Sequence, residues 1–242
     1  MSTLKTAILT VVILITSWNI PVTRALWDSL DAQVFYILNP LTAQFPTLIK
    51  FVNSSLFDWI SDVVILVMML LYFFRKEKKA TTTKVAEFLY MVIIAAATIA
   101  LINKRLIPDF FGAKRVSPSL ELSPAIRLSA LFPGAKDSSH SCFPGDHATT
   151  AFFFLLTYCH FTSIRRSIPV FLYAACMILP RLIVGAHWFT DVLMGSFCIA
   201  YLVFTIAFRT RLHAYCVPPI QKAIERIQAL YAKFTRVIQK NH

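Results

Sequence analysis

Charge is scarce in this chain. Only 15% of its 242 residues are charged and 57% are hydrophobic, with a mean hydropathy of +0.64. A soluble domain carries roughly 25% charged residues. So little polar surface cannot cover a soluble globule, and so much apolar content excludes a disordered or fibrous chain. Acidic residues are the scarcest charges, 12 against 24 Lys+Arg. They form no DxD pair and no cluster of carboxylates, so no metal or other cofactor is expected. The five cysteines are an odd number without a CxxC pair, and Cys159, Cys176 and Cys198 fall inside apolar runs. That excludes a disulfide framework and a zinc site. Glycine is limited to five residues, Gly112, Gly134, Gly145, Gly185 and Gly195, all between positions 112 and 195.

What is present is long apolar runs closed by basic residues. A net charge of +12 would suggest nucleic-acid binding in a soluble protein. In an apolar chain it reads instead as basic residues gathered on cytoplasmic loops, and no nucleic-acid partner is expected. The predicted class is an all-α, polytopic membrane protein. A span needs about 20 apolar residues, and six segments qualify or nearly so. They are Thr6–Thr23, Leu56–Phe74, Val85–Ile102, Ala148–Ile164, Ile168–Val184 (interrupted by Pro180 and Arg181) and Val192–Phe208. The second ends at the basic run 75–79, the fourth at Arg165 and Arg166, and the sixth at Arg209 and Arg211.

Between the first two spans, residues 25–55 mix Trp27, Asp28, Asp31, Phe35, Pro40 and Pro46, and are expected as short helices in the membrane interface. Residues 103–147, holding five of the twelve prolines, are expected as a polar loop. After residue 208, Ile220, Ile224, Ile227, Tyr231, Phe234 and Ile238 recur every three to four positions, flanked by Lys222, Arg226, Lys233, Arg236 and Lys240. This is a basic amphipathic tail suited to an anionic cytoplasmic leaflet; a short coiled-coil contact is the competing reading. The organisation expected is therefore 1–55 for the first helix and interfacial segment, 56–208 for the catalytic membrane unit, and 209–242 for the tail.

Six spans place both termini on one side, and the positive-inside rule puts that side in the cytoplasm. Three polar clusters then share the outer face. They are Lys114-Arg115 with Ser117-Pro118, Phe143-Pro144-Gly145-Asp146-His147, and Arg181 followed by His187 and Asp191. Ionisable groups at span edges are costly and by default functional. Cations that neutralise phosphate oxygens, a nucleophilic histidine, a carboxylate one helical turn from it and a second histidine as proton donor together suit phosphoryl transfer. Simpler readings attach to other positions. Lys104 and Arg105 would snorkel to the headgroups. His140 has no partner by spacing. His160 sits on an apolar span and reads as buried structure. Asp58 and Asp62 read as structural hydrogen-bonders, and Phe152-Phe153-Phe154 as lipid contact.

The pattern Arg181-x5-His187-x3-Asp191 resembles the third signature of the type 2 phosphatidic acid phosphatase (PAP2) superfamily. Pro144-Gly145-Asp146-His147 resembles its Pro-Ser-Gly-His signature, and Lys114-Arg115 with Pro118 resembles its first. Gly145 and Asp146 replace the Ser and Gly of the second signature, Pro180 replaces a serine before the third, and Pro108 stands where the first-signature lysine would. These departures resemble the lipid A 1-diphosphate synthase branch. The resemblance implies a PAP2-like helical bundle in the bacterial inner membrane, with its site facing the periplasm. It further implies phosphate transfer from undecaprenyl diphosphate to the 1-phosphate of lipid A. By resemblance, His187 is the nucleophile, Asp191 its partner and His147 the acid. Lys114, Arg115 and Arg181 would hold phosphate, with Gly145 and Asp146 beside it. A plain lipid-phosphate phosphatase fits the same residues. A lipid transporter and a metal-dependent hydrolase using His147, His187 and Asp191 are the alternatives from other classes.

Overall fold

A computed structural model describes residues 2–75, 80–111, 115–162 and 164–240. Lys114, Gly112 and the basic stop at 76–79 lie outside the described residues. Among the described residues every element is helical: α1 (Ser2–Asn19), α2 (Pro21–Leu38), α3 (Leu41–Gln44), α4 (Pro46–Val52), α5 (Ser55–Arg75), α6 (Thr81–Ala97), α7 (Ile107–Phe111), α8 (Pro118–Glu121), α9 (Leu128–Leu131), α10 (Asp146–Phe161), α11 (Ile168–Ile183), α12 (Cys198–Arg209) and α13 (Leu212–Lys240). Two π-helical stretches, Thr98–Leu106 and Asp191–Phe197, join α6 to α7 and lead into α12. A 3-10 turn, Ile164–Ser167, precedes α11.

By length and composition, two continuous helices can cross a membrane, Thr81–Asp109 and Asp191–Arg209. Two bent pairs bring the total to four if each counts as one span. The six expected segments all exist as helices, but α10 and α11 have only 16 residues each. The first expected span, Thr6–Thr23, is cut at Ile20. Pro21 has no N–H to continue α1 and instead opens α2, which leaves at 88°. Residues 103–111, expected as loop, extend the third helix. The expected interruption at Pro180 is absent: α11 runs through it to Ile183 and stops where Gly185 takes a positive φ of 69°.

The main core joins α5, α6, α10, α11, α12 and α13 through Ile65, Met91, Phe153, Met177, Phe204 and Val217. Phe153 is 1% exposed, so the middle of the Phe152–Phe154 run faces the core rather than lipid. His160 lies against Phe161, Phe204 and Phe208, as a structural histidine would. The first half of α13 packs on α6, where Thr83 donates to Gln221. Beyond it Ile227, Leu230, Tyr231 and Phe234 stand exposed. At the other end of the bundle, α1 packs on α12 and α2 on α11, and there the three polar clusters meet.

Candidate active site

His187 follows α11 in a tight turn. Gly185 makes the turn: its positive φ suits glycine, and an added Cβ would lie 2.5 Å from Phe35. The backbone N–H groups of Ala186 and His187 both donate to the Arg181 carbonyl. The turn therefore ties the histidine to the arginine of its own motif.

The ring of His187 places Nδ1 2.6 Å from the Cys142 carbonyl and 3.8 Å from Asp191 Oδ2. A carbonyl only accepts, so Nδ1 carries the ring proton and Nε2 keeps a lone pair. Asp191 is fully buried at the start of the second π-helical stretch. Its Oδ2 accepts the Trp188 backbone N–H at 2.9 Å and the Cys142 thiol at 3.0 Å. Its Oδ1 accepts Arg115 Nη1 at 2.9 Å. Such π-helical bulges are frequent at functional sites.

Arg115 is gripped at both ends. Nη1 also donates to Thr190 Oγ1, while Nη2 donates to Asp31 Oδ2 at 2.8 Å. The guanidinium lies 4.4 Å over the Trp188 ring. Burial works against its charge, but Asp191 and Asp31 outweigh burial and push its pKa further up. Asp31 is 1% exposed and receives the Thr190 backbone N–H and hydroxyl besides Arg115.

Gly145 caps α10 and is held by Ser196, whose hydroxyl accepts its N–H at 3.1 Å. An added Cβ at Gly145 would come 3.3 Å from His187 Cε1, so glycine lets the loop lie against the ring. Asp146 accepts from Asn103 Nδ2 at 3.0 Å, and Lys104 Nζ stands 3.9 Å from its other oxygen. Lys104 thus reaches a motif residue. His147, half-buried, places Nε2 3.4 Å from Arg181 Nη2 and 3.7 Å from Asp58 Oδ1. Arg181 in turn donates to Asp58 at 2.7 Å and to Asn53 at 3.3 Å.

All the described motif residues therefore gather in one region. Asp31, Asn53, Asp58, Asn103, Cys142 and Thr190 join them without being expected there. Asp31 and Asp58 had a usable signal, since a carboxylate within an apolar chain needs a partner. Cys142, Asn53 and Thr190 carried none.

Cys142, His187 and Asp191 bring three potential metal-donor atoms within 4.8 Å of one another. The set fits a cation poorly. Burial and the neighbouring Asp191 push the Cys142 thiol well above its usual range, so it offers S–H rather than thiolate. The carboxylate is already neutralised by Arg115. The same groups suit anion chemistry: two arginines, an imidazole with a free lone pair, and a second histidine beside a carboxylate.

Comparison with known proteins agrees with this chemistry. The PAP2 superfamily model matches residues 111–215, the stretch that holds all three motifs. Lipid A 1-diphosphate synthase of Escherichia coli (strain K12) is 30% identical over 185 residues, 74% of this chain and 76% of that protein. The crystal structure of a PAP2-type phosphatidylglycerolphosphate phosphatase from Bacillus subtilis shares the fold at TM-score 0.52 and 20% identity. It covers 85% of this chain and 94% of that one. Aquifex aeolicus LpxE matches 75% of this chain and 96% of its own at TM-score 0.45 and 20% identity. A helical bundle that gathers these motifs, with a relative matched over most of both chains, makes this protein a member of the PAP2 superfamily and an enzyme of the lipid phosphatase or phosphotransferase type.

Proposed function

We propose that this enzyme transfers phosphate from undecaprenyl diphosphate to the 1-phosphate of lipid A at the periplasmic face of a bacterial inner membrane, with both termini in the cytoplasm. The observation that carries the chemistry is the His187 ring, whose proton points at the Cys142 carbonyl and leaves Nε2 free. Nε2 attacks the terminal phosphorus of the lipid diphosphate. A P–N bond forms, and the P–O bond to the lipid monophosphate breaks. His147 gives its proton to the departing oxygen. The positive charge now on His187 is balanced by Asp191, 3.8 Å away. An oxygen of lipid A 1-phosphate then attacks the phosphohistidine, restoring the imidazole and leaving a diphosphate on lipid A.

Arg181 and Arg115, with Lys114, offset the charge of the equatorial oxygens, and Gly145 and Asp146 border them. Phosphate binding at Arg181 competes with Asp58, which accepts from that guanidinium at 2.7 Å. The acceptor rests on the E. coli relative and on the motif variants at Gly145, Asp146 and Pro180. Residues 56–208 carry the chemistry, 1–55 pack onto it, and 209–242 bind the cytoplasmic leaflet through their basic face.

The test uses purified protein, undecaprenyl diphosphate and lipid A, beside a His187→Ala variant. Lipid A gaining one phosphate only when His187 is present is the expected outcome. Free phosphate with unmodified lipid A makes the enzyme a lipid-phosphate phosphatase instead. Turnover that survives in His187→Ala overturns the phosphohistidine scheme.

A further inference from the structure

A cavity of about 420 Å³ lies between α1 and α12, beside the catalytic shell. Its walls are apolar, formed by Ile15 of α1, by Ile199 and Leu202 of α12, and by Met194 in the π-helical stretch. Phe143 and Gly195 bound one end of it, and these two touch: an added Cβ on Gly195 would be 2.9 Å from the Phe143 ring. Phe143 directly follows Cys142, whose carbonyl meets His187. Gly195 directly precedes Ser196, whose hydroxyl holds Gly145. Two residues of the cavity wall thus stand one position from groups that hold the nucleophile's surroundings.

A second observation marks the same end. Trp18 lines the cavity and stacks on Phe143 with ring centroids 5.3 Å apart. Its Nε1–H is shielded from solvent and has no hydrogen-bond partner. A buried donor left unpaired costs free energy that a ligand acceptor would recover. The Trp18 ring also lies 5.8 Å from the Arg115 guanidinium. An apolar wall, one indole donor and guanidinium charge, Arg24 at 4.6 Å from the ring and Arg115 at 5.8 Å, therefore stand together. The ligand complementary to that set joins a hydrocarbon chain to phosphate through an ester oxygen.

We propose that this cavity holds the first part of the hydrocarbon chain of the lipid phosphate, with Trp18 Nε1–H donating to the oxygen that joins chain and phosphate. This rests on the reading of the protein as a lipid-phosphate enzyme, but not on which acceptor it uses. The chain enters past α1, where Val12 and Ile13 stand exposed. It does not follow the Phe152–Phe154 run, whose central ring is in the core.

Two measurements test it. The first compares a long-chain prenyl diphosphate with a short-chain, water-soluble one as phosphate donors, with lipid A present and transfer to lipid A or water both counted, for Ile15→Trp and Ile199→Trp, which fill the cavity. The ratio of kcat/KM for long over short chain falls by about tenfold or more if the chain occupies the cavity. An unchanged ratio in both variants overturns the proposal. Trp18→Phe, which keeps the stacking and removes only the N–H, raises KM by a few-fold and leaves kcat in place. The second measurement needs no turnover. A prenyl phosphate with a diazirine near its phosphate end is photolysed on the His187→Ala protein, and labelled peptides are mapped. Label on residues 11–18 and 194–202 supports the cavity, whereas label confined to α5 or α11 overturns it. If the unmodified enzyme passes phosphate from neither chain, to lipid A or to water, yet is labelled at α1 and α12, the catalytic reading fails and the binding site stands.

Discussion

Asp31 and Asp191 hold opposite ends of one guanidinium. Arg115 Nη2 lies 2.8 Å from Asp31 Oδ2, and Nη1 lies 2.9 Å from Asp191 Oδ1. The carboxylate beside the nucleophile is thereby fixed from a helix far away in sequence. Removing one partner of a buried ion pair costs about 3–5 kcal/mol, because the other charge is left uncompensated. Asp31→Ala is therefore expected to destabilise the folded enzyme strongly. Asp31→Asn keeps one acceptor and the shape, and should fold. It is expected to lower kcat by about tenfold or more, ~1.4 kcal/mol of barrier, with little change in KM. Steady-state kinetics on the two variants, beside thermal melts in detergent, check this. A KM rise without a fall in kcat would place Asp31 in substrate binding instead.

Arg181 carries a planar fork that donates to Asp58 and Asn53 from different nitrogens. A lysine is a point charge and cannot reproduce the fork. Arg181→Lys is expected to retain the fold but lose at least about tenfold in kcat/KM, and Arg181→Ala to lose more. Wild-type kinetics in Arg181→Lys would mean that only the charge at this position matters.

Gly185 is the turn residue that lets His187 follow Arg181 so closely. A side chain in this left-handed conformation costs about 1–2 kcal/mol, and its Cβ would also overlap Phe35, 2.5 Å away. Gly185→Ala should lower both the melting temperature and the activity. Phe35→Leu, which clears space at that contact, should restore part of the loss if the overlap is the cause.

Asp137 anchors the loop between α9 and α10. Burial disfavours its charge, but Arg127 and the backbone and hydroxyl of Ser129 hold its carboxyl below the ordinary range. A carboxyl whose folded pKa is depressed stabilises the fold fully above its unfolded value, ~3.9. That contribution fades as pH falls below this value and is gone once pH passes the depressed folded one. Melting curves from pH 7 to pH 3 should show an acid-side loss that is smaller in Asp137→Asn. Identical pH slopes in the two proteins would remove Asp137 from this role.

The gross organisation was readable because hydrophobic length is a one-dimensional property. The boundaries of α5, of α11 and of the continuous helix Asp191–Arg209 fall within a residue or two of those expected from apolar runs. The motif residues were readable because His187 and Asp191 stand four apart, a spacing that local geometry nearly fixes. What spacing could not give was pairing between distant segments. Asp31 sits 84 residues from Arg115 and Asp58 sits 123 from Arg181. Each was one of several acids near a membrane interface. The bend at Pro21 was missed because the apolar run continues past it, and composition does not register a missing N–H. Cys142 acts through its carbonyl as well as its thiol, and a backbone role leaves no trace in residue type.

The segment after Arg115 leaves the site and comes back to it through paired backbone contacts. The Cys142 N–H donates to the Arg115 carbonyl at 2.8 Å, and the Ser117 N–H donates to the Ser139 carbonyl at 3.0 Å. The excursion between Ser117 and Ser139 is thus closed at its neck by backbone groups alone. Side chains farther along it can change without removing the tie that keeps Arg115 beside Cys142, and through Cys142 beside His187.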